Sequence, residues 1–311
     1  MGKVYRLQYL LALVLVVLVG CASETERDTE RSAGLHVVAT FFPVADIVRQ
    51  VGGEHITVQM LLPPEGDLHT FSPTARQMKL LQRADVVFTL GLGAEPFLEK
   101  MFRGLGRKRL RVIELGRGCW TLPADAEHHH EHEGEQHHHD EAVDPHVWLS
   151  IENAIRMTRN AQKALAQIDP VHSADYQRNA DRLVAELKRL RDDLKARAGS
   201  WQKRKFIAAH GAYRYLAEEA GLEQVAVFEP LPGVEPSARW IRDLIRTARR
   251  EGVRVIFTAP PASPRLVEVI ATDLQVPVFL LDTLERPTAE PGGDYQSRMQ
   301  RNIETLDQAM R

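Results

Sequence analysis

The stretch Asp169–Gly199, DPVHSADYQRNADRLVAELKRLRDDLKARAG, decides how the rest of the chain is read. Its apolar side chains, Tyr176, Ala180, Leu183, Leu187, Leu190 and Leu194, are spaced four, three, four, three and four residues apart. That spacing draws one continuous stripe along a helix. Asp169 and Pro170 read as its N-cap and first residue, and Gly199 as its stop. From Pro170 to Ala198 such a helix runs about 40 Å. It is long enough to reach from one lobe of a molecule to another.

On both sides of this stretch, strands alternate with helices. Upstream, apolar runs at 35–40, 56–62, 86–91 and 111–115 read as buried strands. Helical patterns in FFPVADIVRQVGG, TARQMKLLQRA and EPFLEKMFRGLG lie between them. Downstream the pattern restarts, with strands at 205–210, 224–229, 253–260 and 277–282 and a last helix from about Asp294 to Met310. Such alternation predicts mostly parallel sheets. The expected fold is α/β, with two lobes, each a mostly parallel four-stranded sheet with flanking helices, joined by one long helix. Residues 35–169 would form the N-terminal lobe, 170–199 the linking helix and 200–311 the C-terminal lobe.

The residues before 35 read as targeting rather than fold. Lys3 and Arg6 precede an unbroken apolar run, Leu10–Val19. The run is short for a membrane span and right for the core of a signal peptide. It ends in Leu18-Val19-Gly20-Cys21, which resembles a bacterial lipobox. Residues 1–20 would then be a lipoprotein signal peptide, Cys21 the lipidated residue and 21–34 a polar tether. The expected location is the periplasm or the outer face of the cell membrane. With Cys21 lipidated, Cys119 has no intrachain partner. The net charge of −2, with no large basic block, leaves nucleic acid without an electrostatic footprint.

Seven of the thirteen histidines crowd into one segment, 127–140: His128, His129, His130, His132, His137, His138 and His139. The segment is too hydrophilic to bury a core and reads as a flexible loop that gathers metal. The plainer reading is a solvated spacer. DPHVWLS follows, with His146 between Pro145 and Trp148 in a more ordered setting. Ser150 is a good N-cap for the next helix, and Glu152 lies in its first turn.

In open parallel sheets, ligands bind beyond the carboxyl ends of the strands. Four metal-competent side chains fall there: His69 after the second strand, His146 after the fourth and the histidine loop, His210 ending the fifth, and Asp282 ending the last. Two come from each lobe, which places a metal site in the interlobe cleft. Three imidazoles and one carboxylate suit a borderline ion such as Zn²⁺ better than Ca²⁺ or Mg²⁺.

The segments GDLHTFSPTARQMKLLQRADVVFTLGLGAEPFLEKM, DPHVWLS, DPVHSADYQRNADRL, AAHGAYRYLAEEAGL and GVEPSAR strengthen this reading. Together they resemble the zinc/manganese-binding solute-binding lipoproteins of bacterial ABC metal importers, from about Leu35 to the C-terminus. The histidine-rich insert before DPHVW resembles the zinc-type branch. The resemblance implies a monomer that captures Zn²⁺ and delivers it to an importer permease and, through it, a separate ATPase subunit. It implies metal ligands at His69, His146, His210 and Asp282, with His210 where manganese-type members often carry Glu. Mn²⁺ or Fe²⁺ are the alternative cargoes. Asp67 and Glu65 are substitutes for Asp282, and nothing is carried over to TLERPTAEPGG, which departs from the family pattern.

The remaining candidates have plainer readings. His36 is a strand residue, His55 and His172 are surface positions, and Cys119 is a small core or loop residue. Trp148 packs, or shields the site from water. Glu229 and Glu235 are candidates to hold a ligand histidine by its N–H. A secreted zinc-dependent hydrolase would need an open coordination position and a general base. The chain has no HExxH and no defensible Ser–His arrangement. A surface adhesin or metal buffer remains the non-catalytic rival. There is no GxxxxGK[ST] and no apolar span beyond the leader, so ATP hydrolysis and permeation fall to partner chains.

Overall fold

The structure, a computed structural model, describes residues 35–105, 110–124, 142–229, 236–260, 262–288 and 293–311. The expected signal peptide, Cys21, the tether, the histidine segment 127–140 and Glu235 lie outside the described residues. Among the described residues no helix is long and apolar enough to cross a membrane.

Among the described residues eight strands form two four-stranded sheets. In the first, β1 (Leu35–Ala39), β2 (Ile56–Met60), β3 (Val86–Thr89) and β4 (Arg111–Glu114) lie in the order β2-β1-β3-β4. In the second, β5 (Lys205–Ala208), β6 (Glu223–Val227), β7 (Ile256–Thr258) and β8 (Val278–Leu280) lie in the order β6-β5-β7-β8. The two orders are the same. The pairings β1–β3 and β3–β4 are parallel, as are β5–β6, β5–β7 and β7–β8. Both sheets are the expected α/β type, and the central strands are the apolar ones. Val37, Val38, Val86, Val87 and Phe88 are buried in the first. Ile207 and Ile256 are buried in the second, against Leu244, Ala248 and Ile270 from its helices.

The helices of the first lobe are α1 (Phe42–Gly52), α2 (Ala75–Arg83), α3 (Phe97–Leu105) and α4 (Ile151–Ile168). Ser150 caps α4 as expected, its side chain accepting from the Asn153 amide. Glu219, from the second lobe, adds a tie by accepting the amides of Ile151 and Glu152, each at 3.0 Å.

The long helix α5 covers Ser173–Ala198 and buries Tyr176, Ala180, Leu183, Leu187, Leu190 and Leu194, the stripe expected from spacing. Its start differs from expectation. Pro170–His172 form a 3-10 turn, and the α-helix begins only at Ser173. Asp169 does not cap it, because its carboxylate is taken by the Tyr176 hydroxyl at 2.7 Å and faces His172 Nδ1 at 2.6 Å.

The second lobe carries α6 (Arg214–Ala220), α7 (Ala238–Arg250) and α8 (Pro264–Leu274). Gly221 ends α6 in the left-handed conformation, φ 63°, where glycine carries no Cβ penalty. The last helix, α9 (Tyr295–Met310), is a second brace beside α5. At its start the Tyr295 amide donates to Asp46 of α1, and at its end the Met310 carbonyl accepts from Gln202 and Lys203. It therefore touches both lobes.

Candidate metal centre

Each lobe brings two side chains to one point in the cleft. His69 sits in the turn after β2. Asp67 Oδ1 accepts the amides of His69 and Thr70, both at 3.1 Å, which closes the turn, and buried Leu68 anchors it. His146 is fixed in the same manner. Asp144 Oδ1 accepts the His146 amide at 3.0 Å and lies 2.7 Å from its Nδ1. With the carboxylate facing Nδ1, Nε2 is the ring nitrogen left for a metal, and it has no hydrogen-bond partner. Asp144 is itself held below the usual carboxylate range: burial opposes this, but the His146 contacts and Arg214 outweigh it.

His210 follows β5, where the chain leaves the sheet in an extended conformation. The fourth side chain is Glu285, not Asp282. His69, His146, His210 and Glu285 each offer one ligand atom, and these atoms all lie within 4.8 Å of one another. The three imidazole rings form a near-equilateral triangle, with centroid separations of 5.5, 5.2 and 5.1 Å. Glu285 Oε1 lies 3.4 Å from His210 Nε2 and 4.0 Å from His69 Nε2.

Asp282 is engaged elsewhere. Both of its oxygens are taken by Arg298 of α9, at 2.7 Å each, in a bidentate pair. Oδ1 also accepts the Leu284 amide at 2.9 Å. Asn302 bonds the Asp282 amide and carbonyl, each at 2.8 Å. Strand β8 ends at Leu280, and the chain then turns through Leu284 at φ 57°, an uncommon conformation for leucine. That turn carries Glu285 into the cleft. Trp148 of the first lobe supports it, its indole N–H donating to the Thr283 carbonyl at 2.8 Å. Trp148 is fully buried, so its role is to pack and to hold this turn. Asp67, a substitute ligand in the sequence reading, instead accepts Arg286 at 3.1 Å across the cleft. Glu65 is not in the group.

The electrostatics fit a site built for a cation. Burial pushes the His69 imidazole down to about 4, with His146 and His210 adding to the fall and Glu285 opposing it. Burial would raise Glu285, yet the three imidazoles hold it at about 2. His210 is raised, because Glu285 outweighs the burial that would lower it. His146 Nε2, His210 Nε2 and Glu285 Oε1 are buried and lack hydrogen-bond partners. Orphaned buried polar atoms are costly. A divalent ion would satisfy all of them at once. In a tetrahedral zinc shell, donor atoms stand about 3.4 Å apart, so the present spacing needs only a small contraction.

The other candidates fall outside the group. His36 is exposed on β1. His55 and His172 stack on each other, centroids 3.9 Å apart, against Asp175 and Asp169. Cys119 is partly buried, and burial pushes its thiol up to about 12. Glu229 accepts the Ser263 amide at 2.8 Å and holds no ligand histidine.

Two α/β lobes that bring three imidazoles and one carboxylate together in a shared cleft have the layout of a solute-binding protein. The chain belongs to the family of the zinc-uptake complex component A, periplasmic (ZnuA), whose sequence profile matches residues 37–309. The zinc-binding lipoprotein AdcA of Streptococcus pneumoniae is 30% identical over 305 residues. That match covers 96% of this chain but only 60% of AdcA, so the chain spans about three-fifths of that relative. The Zn(II)-bound ZnuA-like domain of AdcA superposes with a TM-score of 0.75 at 26% identity, covering 89% of this chain and 99% of the domain. The FpvC binding protein of Pseudomonas aeruginosa, solved with Mn²⁺, gives 0.77 at 29% identity, covering 89% and 98%.

Proposed function

We propose that this chain captures Zn²⁺ outside the cytoplasm and delivers it to an ABC-type importer, with His69, His146, His210 and Glu285 as the ligands. The observation that carries this reading is the convergence of three imidazoles and one carboxylate, with buried donor atoms that no protein group satisfies. The shell has three nitrogen donors and one oxygen donor. It should favour Zn²⁺ over Mn²⁺, which ranks lower in general affinity and prefers oxygen. The Mn²⁺-bound FpvC structure keeps manganese as the second cargo to test. Permeation and ATP hydrolysis belong to a permease and a separate ATPase. The lipobox-like Cys21 supplies a membrane anchor, and the histidine segment 127–140 gathers metal weakly.

Metal analysis of protein purified without added metal, followed by competition titrations with Zn²⁺ and Mn²⁺, tests the proposal. One tight equivalent of zinc that survives deletion of residues 127–140 is expected. Loss of tight binding on that deletion would move the site to the histidine segment.

A further inference from the structure

The candidate centre opens into a cavity of about 730 Å³. A bare ion inside a four-residue shell needs almost none of that space. The volume falls within the range of pockets that hold small organic molecules, about 300–1,000 Å³. His69, His210 and Glu285 line the cavity, whereas His146 does not. The cavity thus meets the centre on one face only. Away from the centre, Ile241 of α7 and Leu266 and Val269 of α8 form an apolar wall. Val269 is 52% exposed.

The charges on the wall are arranged unequally. The carboxylates that line the cavity are already committed. Glu285 faces the imidazoles, Asp67 accepts Arg286, and Glu229 accepts the Ser263 amide. The arginines are not. Arg242 of α7 and Arg265 of α8 line the same cavity, and among the described residues neither has an ion pair or hydrogen bond. A cavity with a metal centre on one face, an apolar wall and two unpaired guanidinium groups matches a molecule that binds metal and carries a spare carboxylate.

Resting on the zinc-capture reading above, we propose that the cavity receives the ion together with a small carboxylate-bearing chelator. One end of the chelator coordinates the ion on its His69–His210–Glu285 face. The other end places a carboxylate against Arg242 and Arg265, over Ile241 and Val269. Zinc sites expand from four to five ligands, and His69, the most exposed of the four ligand residues, lies on the face where the extra donor enters.

Citrate and L-histidine are the probes, one a hydroxy-tricarboxylate and the other an amino-carboxylate. Protein loaded with one equivalent of Zn²⁺ is titrated with each, and native mass spectrometry and calorimetry record the species formed. A ternary complex of protein, zinc and probe is expected with at least one of them. Whichever probe forms it identifies the class. The variant Arg242→Gln/Arg265→Gln should bind zinc alone as the wild type does. It should hold the probe at least about tenfold more weakly, the loss expected for charge-assisted hydrogen bonds. Zinc-free protein should bind the probe far more weakly still. If both probes only strip the zinc, or if the double variant holds them equally well, the proposal is overturned. Failure to bind zinc alone would instead overturn the reading on which it rests.

Discussion

The two lobes share one sheet order but present their metal-competent side chains by different means. In the first lobe each histidine is set by a carboxylate two residues earlier, Asp67 for His69 and Asp144 for His146, through the histidine's own amide. In the second lobe, among the described residues, no carboxylate accepts the amide of His210 or Glu285, and Asp282 accepts the Leu284 amide instead. Glu285 is presented by Asp282 and Arg298, and by Trp148 reaching over from the first lobe. Half of the site is therefore built from sequence neighbours and half from tertiary contacts. The first half should bend to local substitutions. The second should fail when distant residues change.

The largest effect is expected at the second-lobe clamp. Arg298 is 2% exposed and pairs with Asp282 through Nε and Nη2. Asp282→Ala would leave a buried guanidinium without its counter-charge. Breaking such a pair costs about 3–5 kcal/mol. Asp282 is itself partly exposed, so the lower end, about 3 kcal/mol, is expected from urea unfolding of the metal-free protein. A loss near zero would show that the clamp is not structural.

Glu285→Gln separates ligand from support. It should leave unfolding in urea nearly unchanged. Zinc affinity should fall by more than about 100-fold, beyond the 10–100-fold typical of residues that only orient a ligand. Asp144→Asn tests the local clamp of the first lobe. The expected loss is about 10-fold in zinc affinity, since His146 stays in place but loses the carboxylate on its Nδ1. Equal losses for Glu285→Gln and Asp144→Asn would erase the distinction between ligand and support.

A further effect concerns stability against pH. Glu95 accepts Thr40 Oγ1 and the amides of Leu90 and Gly91, and burial raises its pKa from 4.5 to about 7. Its native pKa lies above the unfolded one, so the native state binds more protons between these values. Its contribution is fully present below about pH 4.5 and is lost as pH rises through about 7. Glu95→Gln should remove that slope. The unfolding free energies of wild type and variant should converge at low pH and diverge as pH rises through about 7, with the variant the more stable. Comparing the two proteins cancels the histidine titrations they share.

The same contrast explains what the sequence made legible. Both sheets, the long stripe of α5 and the three histidines follow from periodicity and from strand ends. These are local signals. Asp282 is the expected fourth member because it ends the last predicted strand, 277–282. Glu285 escaped because β8 stops at Leu280 and the chain turns through a left-handed leucine that no glycine marks. One signal was available. Arg298 and Asn302 fall on the buried face of the last helix beside Tyr295, Met299 and Ile303. An arginine on an apolar stripe needs a carboxylate, and Asp282 supplies it. The late start of α5 has a similar cause, since Tyr176 and His172 take the carboxylate that would have capped it.

The central claim is that one ion sits between the lobes on His69, His146, His210 and Glu285. Anomalous diffraction at the zinc edge, from crystals of protein purified without added metal, tests it most directly. The account predicts a single strong peak in the cleft, about 2.0–2.2 Å from three imidazole nitrogens and one Glu285 oxygen. A peak bonded to Asp282, or one confined to the histidine segment 127–140 with none in the cleft, would contradict it.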